Sequence, residues 1–192
     1  ITLTRGVAVN ALPTLLMTLR RLLEGHTAKR RDGVRLFGLA QLGRQAHLAQ
    51  HKTLSYLSST LGRLRLTDLT DDPRSEGLFV TEAGVVLEGT ASNIFILMGD
   101  ELITAPVKSG VLKGIARAIV LELASRNDAI QLVTERTFDV NELRRADEVF
   151  ITASTLHISA GVSFDGVAIG RGTTGDVYRQ LKLAYETRVA RE

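Results

Sequence analysis

The sequence predicts a mixed α/β domain of the α+β kind. Its 192 residues, 44% hydrophobic and 23% charged, suit one compact core, or one domain with an incomplete second one. The middle of the chain is a run of hairpin patterns. That run gives way to helix, strand, helix and strand patterns and a closing helix, not to a regular parallel alternation.

Ile1 to Asn10 alternates loosely, Thr14 to Leu23 is apolar with Thr interleaved, and Val34 to Ala40 is a short apolar run. These predict strands joined by loops. From Lys52, Leu54, Leu57, Leu61 and Leu64 fall at helical spacings and predict an amphipathic helix opening at the lysine. Leu78 to Leu87, broken at Glu82-Ala83-Gly84, reads as one hairpin, and Asn93 to Thr104, broken at Gly99-Asp100, as a second. Leu112, Ile115, Ala116, Ile119, Val120 and Leu123 form an apolar stripe, predicting a helix directly after Ser109-Gly110 with Gly114 in its first turn. Gln131 to Glu135 reads as a strand, Asp139 with Glu142 as an N-cap and its reciprocal partner, and Glu148 to Ala153 as an apolar strand. A helix from about Gly175 to Arg191 closes the chain.

The absence of cysteine removes disulfides, thiolate metal sites and cysteine nucleophiles, and suits a reducing cytoplasm. No apolar run approaches the roughly 18 residues that span a bilayer, which sets membrane roles aside. Twenty-four Lys and Arg against 21 Asp and Glu leave a formal charge of +3, too small to announce a nucleic-acid partner. Arg20-Arg21 and Lys29-Arg30-Arg31 read as solvated loop charges. The chain opens at Ile1 with no signal segment, so a fragment or processed piece is expected.

Familiar constellations are missing: no phosphate loop of the Gly-x-x-x-x-Gly-Lys type, no Gly-x-Gly-x-x-Gly, no Gly-x-Ser-x-Gly. Among His26, His47, His51 and His157 only His47 and His51 are close, and no helical glutamate accompanies them, so no metal site is expected. Three features remain. Lys52 sits beside apolar Leu54 and Leu57, and alone is most simply a surface lysine. Glu88 follows an apolar strand and precedes Gly89-Thr90-Ala91-Ser92-Asn93, and alone is a turn carboxylate. Leu112 to Ala116 begins a helix whose amides could hold a phosphate, though most helix starts bind water or a cap. Together, a lysine, a carboxylate and a helix-start anion site are what pyridoxal phosphate requires of a protein.

Glu88-Gly-Thr-Ala-Ser-Asn93-Ile94-Phe95, then six residues, Leu102-Ile-Thr104, then seven residues, and Leu112-Lys-Gly114-Ile115-Ala-Arg117 resemble, in residue type and spacing, the whole signature of the class IV aminotransferases, the fold type IV pyridoxal-phosphate enzymes. His51-Lys52-Thr-Leu-Ser-Tyr56-Leu, Thr4-Arg5-Gly6 and Asp147 to Thr155, with Asp165-Gly166 beyond, extend the similarity over almost the whole chain. The resemblance implies the large cofactor-binding domain over residues 11–192, an interdomain segment over residues 1–10, and a missing small N-terminal domain. It implies that Lys52 links to the cofactor pyridoxal 5′-phosphate and shuttles the Cα proton, that Glu88 pairs with the ring nitrogen, that Tyr56 reaches the ring hydroxyl and that Leu112 packs on the ring. Ile115 and Ala116 would give amides to the phosphate, Gly114 would allow close approach, and Ser154 would add a hydroxyl. Thr155 would border the substrate carboxylate, and Arg5 falls where some members bind it, though a surface arginine fits Arg5 equally. Ser92 and Asn93 are implied to support these groups.

The chain departs from the family in two places. Ala116 stands where transaminases usually carry Thr, which removes one hydroxyl contact, and Ala160-Gly161 follows Ser159 where Thr-Pro is common. The implied activity is amino-group transfer between an amino acid, of D- or branched-chain type, and a 2-oxo acid, in a cytoplasmic homodimer. Aminodeoxychorismate lyase, making 4-aminobenzoate and pyruvate, is the alternative within the family, and a truncated, non-catalytic domain the alternative outside it.

Overall fold

The computed structural model describes residues 1–6, 12–19, 21, 28–29, 31–40 and 49–191. The first strands are β1 (Thr2–Thr4), β2 (Thr14–Leu16) and β3 (Val34–Ala40), followed by helix α1 (Leu57–Leu69). Then come β4 (Ser75–Val80), β5 (Val85–Gly89), β6 (Asn93–Met98), β7 (Glu101–Thr104), a 3-10 turn (Val107–Ser109) and α2 (Ile115–Ala124). The remainder is β8 (Leu132–Glu135), β9 (Phe138–Asp139), α3 (Val140–Arg145), β10 (Glu148–Ala153), β11 (His157–Phe164), β12 (Val167–Ala168) and α4 (Asp176–Val189).

β1 and β2 form a two-stranded antiparallel ribbon. The other strands make one mixed sheet in the order β8-β7-β6-β10-β11-β3-β4-β5-β9, with β12 also paired to β11. β5 lies beside β6 although four strands separate them in hydrogen-bonded order, so the sheet curls back on itself. Strand alternation then sorts side chains to an inside and an outside. Ile94 and Ile96 of β6 turn inward with Val149 and Ile151 of β10 and Leu36 of β3. Phe95, Leu97 and Phe150 turn outward beneath Val120 and Ala124 of α2 and Tyr178 and Leu181 of α4, with the Phe95 and Phe150 rings stacked at 5.3 Å. β6 and β10 are buried on both faces, which is why they read as continuous apolar runs. Each such side chain contributes about 1.5–3 kcal/mol by leaving water.

The predicted hairpins, the strands Val34–Ala40 and Glu148–Ala153, and the Asp139 cap are all present. Asp139 accepts from the Asn141 and Glu142 amides at 2.8 Å each, and Glu142 returns a bond to the Asp139 amide. Gly175 precedes α4 with no side chain to cap it. Glu148 does so instead, accepting from the Val177 and Tyr178 amides at 3.0 and 2.7 Å.

Five expectations are corrected. The helix expected at Lys52 begins at Leu57. Its buried face is Ser59 and Gly62, because a Cβ on residue 62 would meet Thr90 at 2.9 Å and Phe79 at 3.1 Å; Leu57, Leu61 and Leu64 are exposed. The helix expected after Gly110 begins at Ile115, with Gly114 as its N-cap and Leu112 outside it. Ile115 is 75% exposed and lies off the apolar stripe. Lys29, read as a solvated charge, is mostly buried and pairs with Glu76 at 3.1 Å, whereas Arg31 does pair with Asp32 in solvent. Arg20, Arg30, His26 and His47 lie outside the described residues. β9, β11 and β12 had no sequence signal: β11 carries Ser159-Ala160-Gly161 in its centre, where Gly161 is needed because Leu36 would lie 2.7 Å from a Cβ.

Burial pushes the Tyr178 hydroxyl up from 10 to about 12, against the opposing pull of a hydrogen bond with the Ala160 backbone. The folded value lies above the unfolded one, so the stability this group supplies is complete below about pH 10 and is lost as pH rises through 12. Circular dichroism against pH should show wild type losing stability across that window. Tyr178→Phe should lose less of its neutral-pH stability there; equal losses would contradict the assignment.

Candidate active site

The ends of β5, β6 and β10, the start of α2 and the segment before α1 converge on a cavity of about 250 Å³. Lys52, Tyr56, Glu88, Leu112, Gly114, Ile115, Ala116 and Ser154 all line it, as do Ser92 and Asn93.

Glu88 is 3% exposed, and a buried carboxylate is costly unless donors surround it. Glu88 Oε2 accepts from the Leu112 N–H at 2.8 Å and from Asn93 Nδ2 at 3.3 Å. The same Asn93 nitrogen donates to the Leu112 carbonyl at 2.9 Å. Asn93 therefore clips the segment before α2 to β6 and β5 together. Gly114 makes this possible by close approach, since a Cβ there would overlap Asn93 Oδ1. Its backbone is extended, so the requirement is space and not conformation.

α2 begins with no side-chain cap and no acidic residue in its first turn. Its first amides have no intrahelical acceptor and sit at the positive end of the helix dipole, beside the cavity, where an anion is favoured. Arg117 turns away, donating to the Ala105 carbonyl at 2.9 Å and to Glu135 at 2.5 Å. It anchors the helix start to the sheet.

Lys52 is exposed, with Nζ 5.2 Å from the centre of the Tyr56 ring, a cation–π approach. Ser154 and Thr155 are exposed on the turn after β10. Thr155 lines a neighbouring cavity of about 620 Å³, which shares Thr90, Ala91 and Ala153 with the first. Arg5 is exposed just beyond β1 and lines neither cavity.

Sequence reasoning missed Glu76, 5% exposed on β4. Its Oε1 accepts from Thr90 Oγ1 and the Ala91 amide at 3.0 Å each and from Ser92 Oγ at 3.4 Å. It thereby fastens the loop that runs from Glu88 to Asn93. A Cβ at Gly89 would lie 2.9 Å from Glu76 Oε1, so the carboxylate occupies the space a side chain at residue 89 would need. The available signal was a single carboxylate inside the strand pattern Ser75–Val80. Of the histidines, His51 is exposed and His157 packs its ring 5.3 Å from that of Tyr185. Among the described residues no group of three or more His, Cys, Asp or Glu gathers to hold a metal, and no helix is long and apolar enough to cross a membrane.

The family described as amino-transferase class IV matches residues 1–163, and the chain belongs to it. A putative branched-chain-amino-acid aminotransferase of Methanocaldococcus jannaschii is 35% identical over 70% of this chain and 45% of the relative. An aminodeoxychorismate lyase of Bacillus subtilis is 33% identical over 64% of this chain and 41% of the relative. The branched-chain amino acid aminotransferase of Thermobaculum terrenum, solved in its PLP-bound holo form, superposes with a TM-score of 0.75 and 28% identity, over 84% of this chain and 53% of that one. The chain thus spans about half the length of the proteins it matches.

Gly114→Ala should push Asn93 from its place and break its bonds to Glu88 and Leu112. Urea unfolding should register a loss of roughly 1–3 kcal/mol, the usual cost of overpacking; an unchanged midpoint would contradict the close approach.

Proposed function

We propose that this chain is the cofactor-binding part of an enzyme that transfers an amino group between an amino acid and a 2-oxo acid. The observation that carries the reading is the convergence of Lys52, Glu88 and the start of α2 on one cavity. Pyridoxal phosphate is the cofactor, and the residues present fit it. The first amides of α2, which no side chain caps, border the same cavity as the Lys52 amine and the buried Glu88 carboxylate.

When bound, this cofactor supplies an aldehyde that condenses with amines and a ring that takes up the electron pair left when a substrate Cα–H bond breaks. Lys52 would provide the amine that anchors it and, once displaced by the substrate amine, would carry the proton on Nζ from the substrate Cα to the carbon of the former aldehyde. Glu88, held by the Leu112 N–H, presents its carboxylate to the ring nitrogen. Tyr56 would reach the ring hydroxyl and Leu112 would cover one ring face. The Ile115 and Ala116 amides would hold the phosphate, with the Ser154 hydroxyl alongside and Gly114 letting the segment before α2 lie close against Asn93. Thr155, on the neighbouring cavity, borders the substrate carboxylate; the position of Arg5 adds no support to such a role.

Ser154, Thr4-Arg5-Gly6 and the Methanocaldococcus relative support a D-amino acid or branched-chain substrate. A second reading, aminodeoxychorismate lyase, is favoured by His51-Lys52-Thr53-Leu54 and the Bacillus relative; there the same Lys52 proton transfer leads to pyruvate release. The exposed leucines of α1 support a homodimer.

Pyridoxal phosphate added to the purified chain should give a visible absorbance band. Borohydride followed by peptide mapping should place the pyridoxyl group on Lys52, and Lys52→Ala should abolish the band. No band, or label scattered over surface lysines, would put the non-catalytic domain in its place. Pyruvate release from aminodeoxychorismate, set against amino transfer to a 2-oxo acid, separates lyase from transaminase.

A further inference from the structure

We propose that the Thr152 hydroxyl is a phosphate ligand of the cavity, standing in for the hydroxyl that Ala116 lacks; the identity of the phosphate as the cofactor's rests on the reading above. Thr152 is 1% exposed, and its Oγ1 has no hydrogen-bond partner among the described residues. Of the buried side-chain atoms in that condition, Ser75 Oγ, Arg117 Nε, Thr152 Oγ1 and Ser159 Oγ, only that of Thr152 belongs to a residue lining this cavity. A buried hydroxyl without a partner is unfavourable, and native proteins rarely keep one without a ligand to satisfy it.

Position fixes which ligand. Ile151 and Ala153 pack against the inner core, so Thr152 points to the outer face with Phe150, the face that α2 covers. Its partner across the strand pair is Asn93, the residue lying against Gly114 at the start of α2. Directly opposed strand residues on one face lie about 5 Å apart at Cβ. The hydroxyl is therefore on the face that α2 covers, and Thr152 lines the same cavity as Ala116 and the uncapped start of that helix. Helix amides and an O–H are all donors, and a phosphate monoester dianion accepts from both with charge-assisted bonds.

The test compares pyridoxal phosphate with pyridoxal, which lacks the phosphate, as ligands of the 192-residue chain and of Thr152→Val and Thr152→Ser. Affinities are read from the absorbance change on binding. Thr152→Val should weaken pyridoxal phosphate roughly tenfold and leave pyridoxal unchanged, and Thr152→Ser should restore most of the loss. Equal weakening of both ligands, or an unchanged phosphate preference, would overturn the assignment and leave Thr152 a packing residue or a donor to Asn93. Inorganic phosphate distinguishes this failure from that of the cofactor reading. If phosphate raises the melting temperature of wild type but not of Thr152→Val while pyridoxal phosphate forms no band, the ligand role stands and the cofactor reading falls. If the band forms on Lys52 and both proteins respond equally to phosphate, the cofactor reading stands and the ligand role falls.

Discussion

The Glu88 carboxylate, buried at the edge of a curled sheet, accepts the amide proton of Leu112 at 2.8 Å, and the rest of the site is arranged around that bond. Leu112 is not helical. Its N–H is taken by Glu88 and its carbonyl by Asn93 and the Gly114 N–H, so α2 begins only after Gly114. Had the helix begun at Leu112, as the apolar spacing alone allows, its first amides would lie elsewhere. One side-chain bond thus sets where a helix starts and which way its positive end faces.

A second buried carboxylate supports the first. Glu76 takes up Thr90, Ala91 and Ser92 and pairs with Lys29, which fixes the loop between β5 and β6. Glu88 accepts from a backbone amide and the Asn93 side-chain amide, and Glu76 from a backbone amide, two hydroxyls and Lys29, the arrangement in which buried charge is tolerable. The glycine at 89 follows from this, because a Cβ there would collide with Ser92 and Glu76. The loop that looks in sequence like a flexible polar turn is a packed one.

What the sequence disclosed follows from which physical signals are local. Val34–Ala40 and Glu148–Ala153 are buried runs flanked by breaks, and the hairpin at Gly99-Asp100 has its turn written into it, so these were legible. The leucines of α1 show the limit of periodicity: spacing identifies a face but not what that face meets, and here Ser59 and Gly62 touch the sheet. β11 was illegible because its centre, Ser159-Ala160-Gly161, carries no strand pattern, and the reason for Gly161 lies in Leu36 of β3 and Val149 of β10. Residues of the site that sit in the aminotransferase signature were found, and their meeting in one cavity agrees with that reading. Glu76 and Thr152 were not, because their significance is a matter of burial and partners.

The central claim is that Glu88 both organises the site and presents its carboxylate to the cofactor ring. The most direct measurement is the nitrogen-15 chemical shift of ring-labelled pyridoxal phosphate bound to wild type and to Glu88→Gln, a change that keeps an acceptor for the Leu112 amide and removes the charge. The account predicts a protonated ring nitrogen in wild type and an unprotonated one in the variant at neutral pH. The same shift in both proteins would contradict it.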